Sequence, residues 1–255
     1  MQEMNRRTML AASIAGAAAG VLWFEEADAQ GVRRWRRAAI NGQVPQNNKK
    51  KGSEMADGYK VVDGVKVYDN EYFYDADGKF LAEKAKAAYW EMFDRFKYPT
   101  SDFLDKNFWM MEFGQGEFAR VGMGGVFWVN RNEEGFSYFG HDIYLLPFQM
   151  IAEHSHKATK NPAKMESWQV RYGSIFNFGE AEENKPFPVE VPKSQVESMH
   201  SNHCEEMKVG DIAHLGKLLT WHFMMGGANG AIVTEYANYH DNDGLFFSNP
   251  TVKKC

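Results

Sequence analysis

Residues 153–173 read EHSHKATKNPAKMESWQVRYG, and how they are understood decides the fold. His154 and His156 follow the apolar run IYLLPFQMIA, which places them at the end of a strand. Side chains two apart on a strand leave by the same face, so the two imidazoles project together, into a barrel or out to solvent. Glu166 comes ten residues later and opens the next apolar run beyond a loop containing Asn161-Pro162; a hairpin there returns it beside the histidines. Neutral imidazoles and a carboxylate on neighbouring strands suit a divalent metal. A His-x-His pair is also a common surface feature, and the spacing alone leaves both readings open.

The surrounding chain is that of a globular protein. It has 255 residues, 44% hydrophobic and 15% aromatic, enough for one well-buried domain. The net charge of −5 speaks against nucleic-acid binding. The basic clusters Arg33, Arg34, Arg36, Arg37 and Lys49, Lys50, Lys51 fall before residue 58 and read as a solvated arm. With only Cys204 and Cys255 there is neither a disulfide framework nor a four-cysteine zinc site, and a bridge between the two is left open.

The N-terminus reads as a targeting segment. Arg6-Arg7, the apolar run Met9–Phe24 and the small-x-small site Ala27-Asp28-Ala29 make residues 1–29 a twin-arginine signal peptide, cleaved after Ala29. The rival reading is an uncleaved membrane anchor, against which the run is about 16 residues, short of the ~20 a spanning helix needs. The expectation is a periplasmic or exported protein whose first partner is the twin-arginine export machinery. Residues 30–57 are polar, with Pro, Gly and Asn and no periodicity, and are assigned as a disordered linker.

From residue 58 to 255 one domain is expected. Leu81, Ala85, Ala88, Tyr89, Met92, Phe93 and Phe96 recur at helical spacing, an amphipathic helix over 80–96 that Tyr98-Pro99 ends. After Trp109 come short aromatic and β-branched runs broken by turn residues: FARVGMGGVFWVN, YFGHDIYLLPFQMIA, WQVRYGSIFNFG, TWHFMMG and GAIVTEYANY. A helical segment followed by many antiparallel strands predicts a mainly β jelly-roll barrel. Gly226-Gly227-Ala228-Asn229-Gly230 reads as a hairpin turn; centred near Ala228, it sets residue 222 opposite 234 or 235, which turns Glu235 inward beside His222 or, with a slip of one residue, Thr234 in its place.

His-x-His, then a glutamate, six residues and Gly173 resemble the first motif of the cupins, double-stranded jelly-roll barrels, with a lengthened loop. More narrowly, EFGQGEF at 112–118, Val121-Gly122, AKMES at 163–167 and VTEYANYHDND at 233–243 resemble, in order, segments of the D-lyxose isomerase family. The resemblance spans roughly residues 100–250. It implies His222, from TWHFMM, as the ligand completing His154, His156 and Glu166. It also implies a divalent ion, Mn²⁺ first, with Fe, Zn, Co or Ni as alternatives, and a small sugar interconverted between aldose and ketose. Such a reaction needs a carboxylate that moves a proton, and Glu166 is committed to the metal. Glu235 is therefore the candidate base, Lys164 a candidate electrostatic partner or else a solvated loop lysine, and Glu112 the weaker alternative base.

Three departures from the family pattern stand out. Phe148 occupies the position of a glycine six residues before His154, the Pro-x-Gly before the third histidine is replaced around 217–219, and KATKNPA is inserted. Two other functions fit the same ligands: a metal-dependent cupin oxidoreductase or dioxygenase, and a non-catalytic periplasmic sugar-binding cupin. A homodimer is left open. His200, His203 and Cys204 in MHSNHCEE are assigned to a mobile loop, and His141 and His240 to isolated hydrogen-bonded or surface positions. GMGGV at 122–126 lacks the lysine and helix of a phosphate loop.

Overall fold

The structure is a computed structural model describing residues 22–27, 33–38 and 58–254, apart from Gly135. Strands β1 (Leu22–Ala27) and β2 (Arg33–Ala38) pair antiparallel as a ribbon of their own. They occupy parts of the stretches assigned to signal and linker, and the remainder of both assignments lies outside the described residues.

The second unit begins with the hairpin β3 (Tyr59–Val62) and β4 (Val65–Tyr68). Asp63-Gly64 turns it with both φ angles positive, 50° and 82°, the backbone that a two-residue Asp-Gly loop supplies. Helix α1 (Ala82–Phe96) follows and buries Ala85, Ala88, Tyr89, Met92 and Phe93 on one face. It stops before Pro99 because Lys97 turns left-handed, φ 56°, and donates its N–H to the carbonyls of Asp94 and Phe93. Helix α2 (Asp102–Asn107) is capped by the Ser101 side chain, which accepts from Leu104 N.

The remaining elements form one antiparallel sheet of nine strands: β5 (Trp109–Met111), β6 (Met123–Glu133), β7 (Phe136–Leu145), β8 (His154–His156), β9 (Glu166–Gly179), β10 (His203–Lys208), β11 (Ile212–His214), β12 (His222–Ala237) and β13 (Leu245–Phe247). The order is β10-β9-β12-β7-β6-β5, with β11 on β9 and β8 joining β12 to β13. A short helix, α3 (Lys193–Val196), precedes β10. Residues alternate between two cores. Tyr144 and Leu146 near the end of β7 and Ile232 of β12 pack outward with α1, whereas Ile143, Leu145, Ala231 and Val233 pack inward.

The predicted hairpin at 226–230 does not form. TWHFMMG and GAIVTEYANY belong to a single sixteen-residue strand, β12, which pairs with β9 along both halves. Its register runs from His222↔Gly179 to Gly226↔Ile175, then resumes at Ala231↔Gly173 and ends at Ala237↔Glu166. Five steps on β12 therefore oppose two on β9, a wide bulge at which the paired strands bend. The glycines serve close approach. Gly173 has φ +71°, and a Cβ there would lie 2.0 Å from the carbonyl oxygen of Gly230. The glycine-rich segment thus curls a ribbon, and the two ends of that ribbon meet across the barrel.

Candidate functional site

His154 and His156 leave β8 toward the same side, as their spacing requires. Their strand does not form a hairpin with β9; β8 pairs instead with β12 through His154↔His222 and with β13 through His154↔Phe247 and His156↔Leu245. Glu166 starts β9 at the end of the ribbon opposite His222. The curl brings Glu166 Oε1 to 2.5 Å from His222 Nε2 and 3.3 Å from His156 Nε2. Ligand atoms from His154, His156, Glu166 and His222 all lie within 4.8 Å of one another.

Neighbouring groups orient these rings. Nδ1 of His154 lies 3.0 Å from the carbonyl oxygen of Ala152, and Nδ1 of His222 lies 2.9 Å from that of Thr220. Each Nδ1 therefore carries the proton and donates, leaving Nε2 as a lone pair. Trp168 stacks on His222 with centroids 5.7 Å apart at 11° and fixes the ring plane. Nε2 of His156 and of His222 are buried without a hydrogen-bond partner, though both crowd Glu166. Unsatisfied buried nitrogens converging on a carboxylate are what a cation resolves, so the four residues can hold a metal. Burial, reinforced by His222 and His156, holds His154 well below the usual histidine range. Burial also lowers His156, against the attraction of Glu166. For Glu166 burial works the other way, but Lys164, His156 and His222 hold it well below the usual carboxylate range. Burial lowers His222 too, but the charge of Glu166 beside it outweighs burial and raises its pKa. Neutral His154 and His156 and an ionised Glu166 are in the states that bind a divalent ion, and His222 reaches that state by giving up its proton as the ion enters.

Beside this group lies a buried ion triad. Lys164 is not a solvated loop lysine: it is 6% exposed, and its Nζ stands 2.7 Å from Glu166 Oε2 while donating to Glu235 Oε1. Burial opposes its charge, but the two carboxylates outweigh burial and raise its pKa. Glu235 shares the inward parity of Ala231 and Val233 and lies opposite His141 on β7, whereas Thr234 points away and donates to Asp142. Glu235 is thus inward, reached along one strand rather than around a turn. Burial first, then the negative charge of Glu166, pushes its pKa up to about 8 against the pull of Lys164. Glu112 stands apart, accepting from Tyr74 Oη at 2.9 Å.

His154, His156, Lys164 and Glu235 open onto a cavity of about 270 Å³, smaller than sites for drug-sized ligands. Its other walls are largely aromatic and aliphatic, and they include His141, His240 and Trp109. His141 is neither hydrogen-bonded nor at the surface, whereas His240 is hydrogen-bonded to Asn242, one of the two alternatives expected, and shares the cavity. His141 is 5% exposed, and neither of its nitrogens has a hydrogen-bond partner. MHSNHCEE is also not simply a loop, since His203 and Cys204 begin β10 on the edge of β9. His203 Nδ1 meets the carbonyl oxygen of Glu182 at 2.7 Å, Cys204 is buried, and His200 stacks on Trp221. Cys255 lies outside the described residues.

Two of the positions singled out in the sequence share one backbone conformation. Phe148 and Leu219 both hold left-handed backbones, φ 59° and 61°, the conformation a glycine adopts without strain. The inserted loop is tied down as well: Thr159 and Asn161 donate to Asp241 at 2.6 and 2.8 Å, and Lys157 N donates to Gly244 O at 2.9 Å.

No family model matches the chain. Over 150 residues it is 26% identical to a D-lyxose/D-mannose isomerase of Thermosediminibacter oceani, covering 58% of this chain and 80% of that protein. Over 144 residues it is 27% identical to a D-lyxose ketol-isomerase of Cohnella laeviribosi, covering 56% and 76%. Among solved structures it is similar to L-ribose isomerase of Cellulomonas parahominis. The ligand-free form gives a TM-score of 0.51 at 12% identity, covering 70% of this chain and 94% of that one. The form with L-ribose gives 0.50 at 14% identity, covering 66% and 90%. At such identities the likeness speaks for the fold, a cupin-type jelly-roll barrel.

Proposed function

We propose that the chain is a metal-dependent aldose–ketose isomerase of the D-lyxose type, with His154, His156, Glu166 and His222 holding one divalent ion, Mn²⁺ first. The observation that carries this is the pairing of a four-ligand group with a second buried carboxylate, Glu235, clamped by Lys164 on the same cavity. When bound, the ion supplies Lewis-acid polarisation of the sugar oxygens. Glu235 takes the proton from C2 and returns it to C1, while the hydroxyl proton passes from O2 to O1. The carbonyl shifts by one carbon and no oxidant is consumed. Lys164 holds Glu235 in place and offers its positive charge to the oxygen that gains negative character. Three histidines and a glutamate also suit iron oxygen chemistry, but a proton shuttle needs a further carboxylate, and this cavity has one. The sugar isomerases named above favour the same reading.

Protein reconstituted with Mn²⁺ is expected to convert D-lyxose to the corresponding ketose, to lose that activity to a chelator and to regain it on adding the ion back. His222→Ala is expected to lower metal affinity by about tenfold or more, on the scale at which even outer-shell changes act, measured by metal analysis after dialysis, with the barrel still folded. Full occupancy in that variant removes His222 from the ligand set.

We propose also that the protein is exported by the twin-arginine route, on the strength of Arg6-Arg7 and the apolar run behind them. Replacing both arginines with lysine is expected to retain the precursor in the cytoplasm, and exported protein is expected to begin near Gln30. Exported protein with Met1 intact counts against cleavage.

A further inference from the structure

The cavity carries polar groups that neither the metal ligands nor the proton shuttle uses. Trp109 Nε1, both nitrogens of His141 and Nδ1 of His240 are buried without hydrogen-bond partners, and all three residues line the cavity. Burying such groups unpaired is costly, and clusters of them are rare in folded proteins.

Their placement is built into the fold. His240 Nε2 lies 2.9 Å from Asn242 Oδ1, an acceptor, so Nε2 carries the proton and Nδ1 is left as a lone pair. Asn130 clamps the His240 backbone from both sides, accepting from its N–H at 3.0 Å and donating to its carbonyl at 3.1 Å. The indole of Trp109 sits over Gly125, where a Cβ would come within 2.4 Å of the ring. Phe127 stacks on His141 at 5.4 Å and 7°, and Phe139 meets the same ring edge-on at 4.9 Å. His141 Nε2 stands 3.5 Å from Glu235 Oε2 and so joins the three residues to the reacting end of the cavity without hydrogen-bonding there.

We propose that Trp109, His141 and His240 form a hydroxyl-reading subsite that binds the sugar carbons beyond the two that exchange the carbonyl. The identification of the reacting end rests on the isomerase reading; binding of a polyol does not. Trp109 Nε1 donates, His240 Nδ1 accepts, and a neutral His141 does one of each, which matches hydroxyl groups that both donate and accept. Burial, then the charge of Lys164, holds His141 well below the usual histidine range, so it stays neutral. Lys164 is the only lysine among the described residues lining the cavity, no arginine lines it, and Lys164 is already bound to Glu166 and Glu235. A phosphate or carboxylate on the far end of the sugar would therefore meet no counter-charge, and the ligand is a neutral polyhydroxyl chain.

The test is calorimetric titration of the Mn²⁺-loaded full chain with a pentitol, which has no carbonyl and cannot turn over, and in parallel with glycerol, too short to span both ends of the cavity. Trp109→Phe and His141→Phe keep a ring and remove the polar atoms. Each is expected to weaken pentitol binding by about tenfold, on the scale of one lost hydrogen bond plus the hydroxyl left unpaired, while glycerol binding and metal content stay as in the parent. Unchanged pentitol affinity in both variants, equal weakening for pentitol and glycerol, or no pentitol binding by the parent protein would each overturn the subsite. Turnover of D-lyxose by the parent protein is scored separately. Pentitol binding that depends on Trp109 and His141 in a protein inactive on aldoses would keep the subsite and sink the isomerase.

Discussion

Glu235→Gln is expected to lower turnover of D-lyxose by roughly 10²–10⁴-fold, the range over which a positioned general base contributes, while metal content and unfolding midpoint remain those of the parent. The amide has the shape of the carboxylate and can still accept from Lys164, but it cannot take a proton from carbon. Three features make Glu235 suited to that task. It is buried, it opens onto the cavity, and burial together with Glu166 pushes its pKa up to about 8, so its carboxylate is a stronger base than an exposed one. The variant separates roles that are adjacent in space. Loss of metal would make Glu235 part of the ligand group; near-normal turnover would make it a structural partner of Lys164. Glu112 offers no substitute, because its carboxylate is engaged by Tyr74.

The inward face of Glu235 was legible in the sequence, but by a route the structure does not take. A glycine cluster between two apolar runs ordinarily marks a hairpin, and a hairpin here sets His222 opposite residue 234 or 235. In the structure His222 and Glu235 lie on the same strand thirteen residues apart, where strict alternation would put them on opposite faces. The bulge at 226–231 breaks that alternation, whereas the register shift between Ile232 and Val233 puts its extra residue on β9 and leaves the alternation of β12 intact. Composition alone does not distinguish a turn glycine from one that lets two backbones touch. Helix α1 was legible because its period is local and its outer face polar. His141 was harder. It shares parity with Ile143 and Leu145, but Tyr144 and Leu146 on the other face are equally buried beneath α1, so the alternation that would mark an inward residue is absent. His240 follows β12 in a segment placed by Asn130 and by Asp241's bonds to the inserted loop, contacts 110 and about 80 residues away in sequence. Nothing local announces it.

Gly173→Ala is expected to cost more than about 3 kcal/mol, a substantial part of the ~5–15 kcal/mol that holds a domain together. Two penalties combine. The left-handed backbone at φ +71° costs a residue with a Cβ about 1–2 kcal/mol. The added methyl would also sit 2.0 Å from Gly230 O and 3.0 Å from Gly230 C, which are main-chain atoms that no rotamer change can move. Relief requires β9 and β12 to part where Ala231 opposes Gly173, and that pairing resumes the ribbon after its bulge. Gly210→Ala is the control: its φ is +97°, yet a Cβ there meets nothing within 4 Å, so only backbone strain remains. A drop in unfolding midpoint several times larger for Gly173→Ala than for Gly210→Ala is the expected result, and equal drops would show that close approach contributes nothing. Metal affinity supplies an independent readout. Gly173 is not itself a ligand, but the bend it permits is what brings Glu166, at one end of the ribbon, against His222 at the other. Any Gly173→Ala protein that still folds is therefore expected to bind Mn²⁺ more weakly, whereas Gly210→Ala binds it as the parent does.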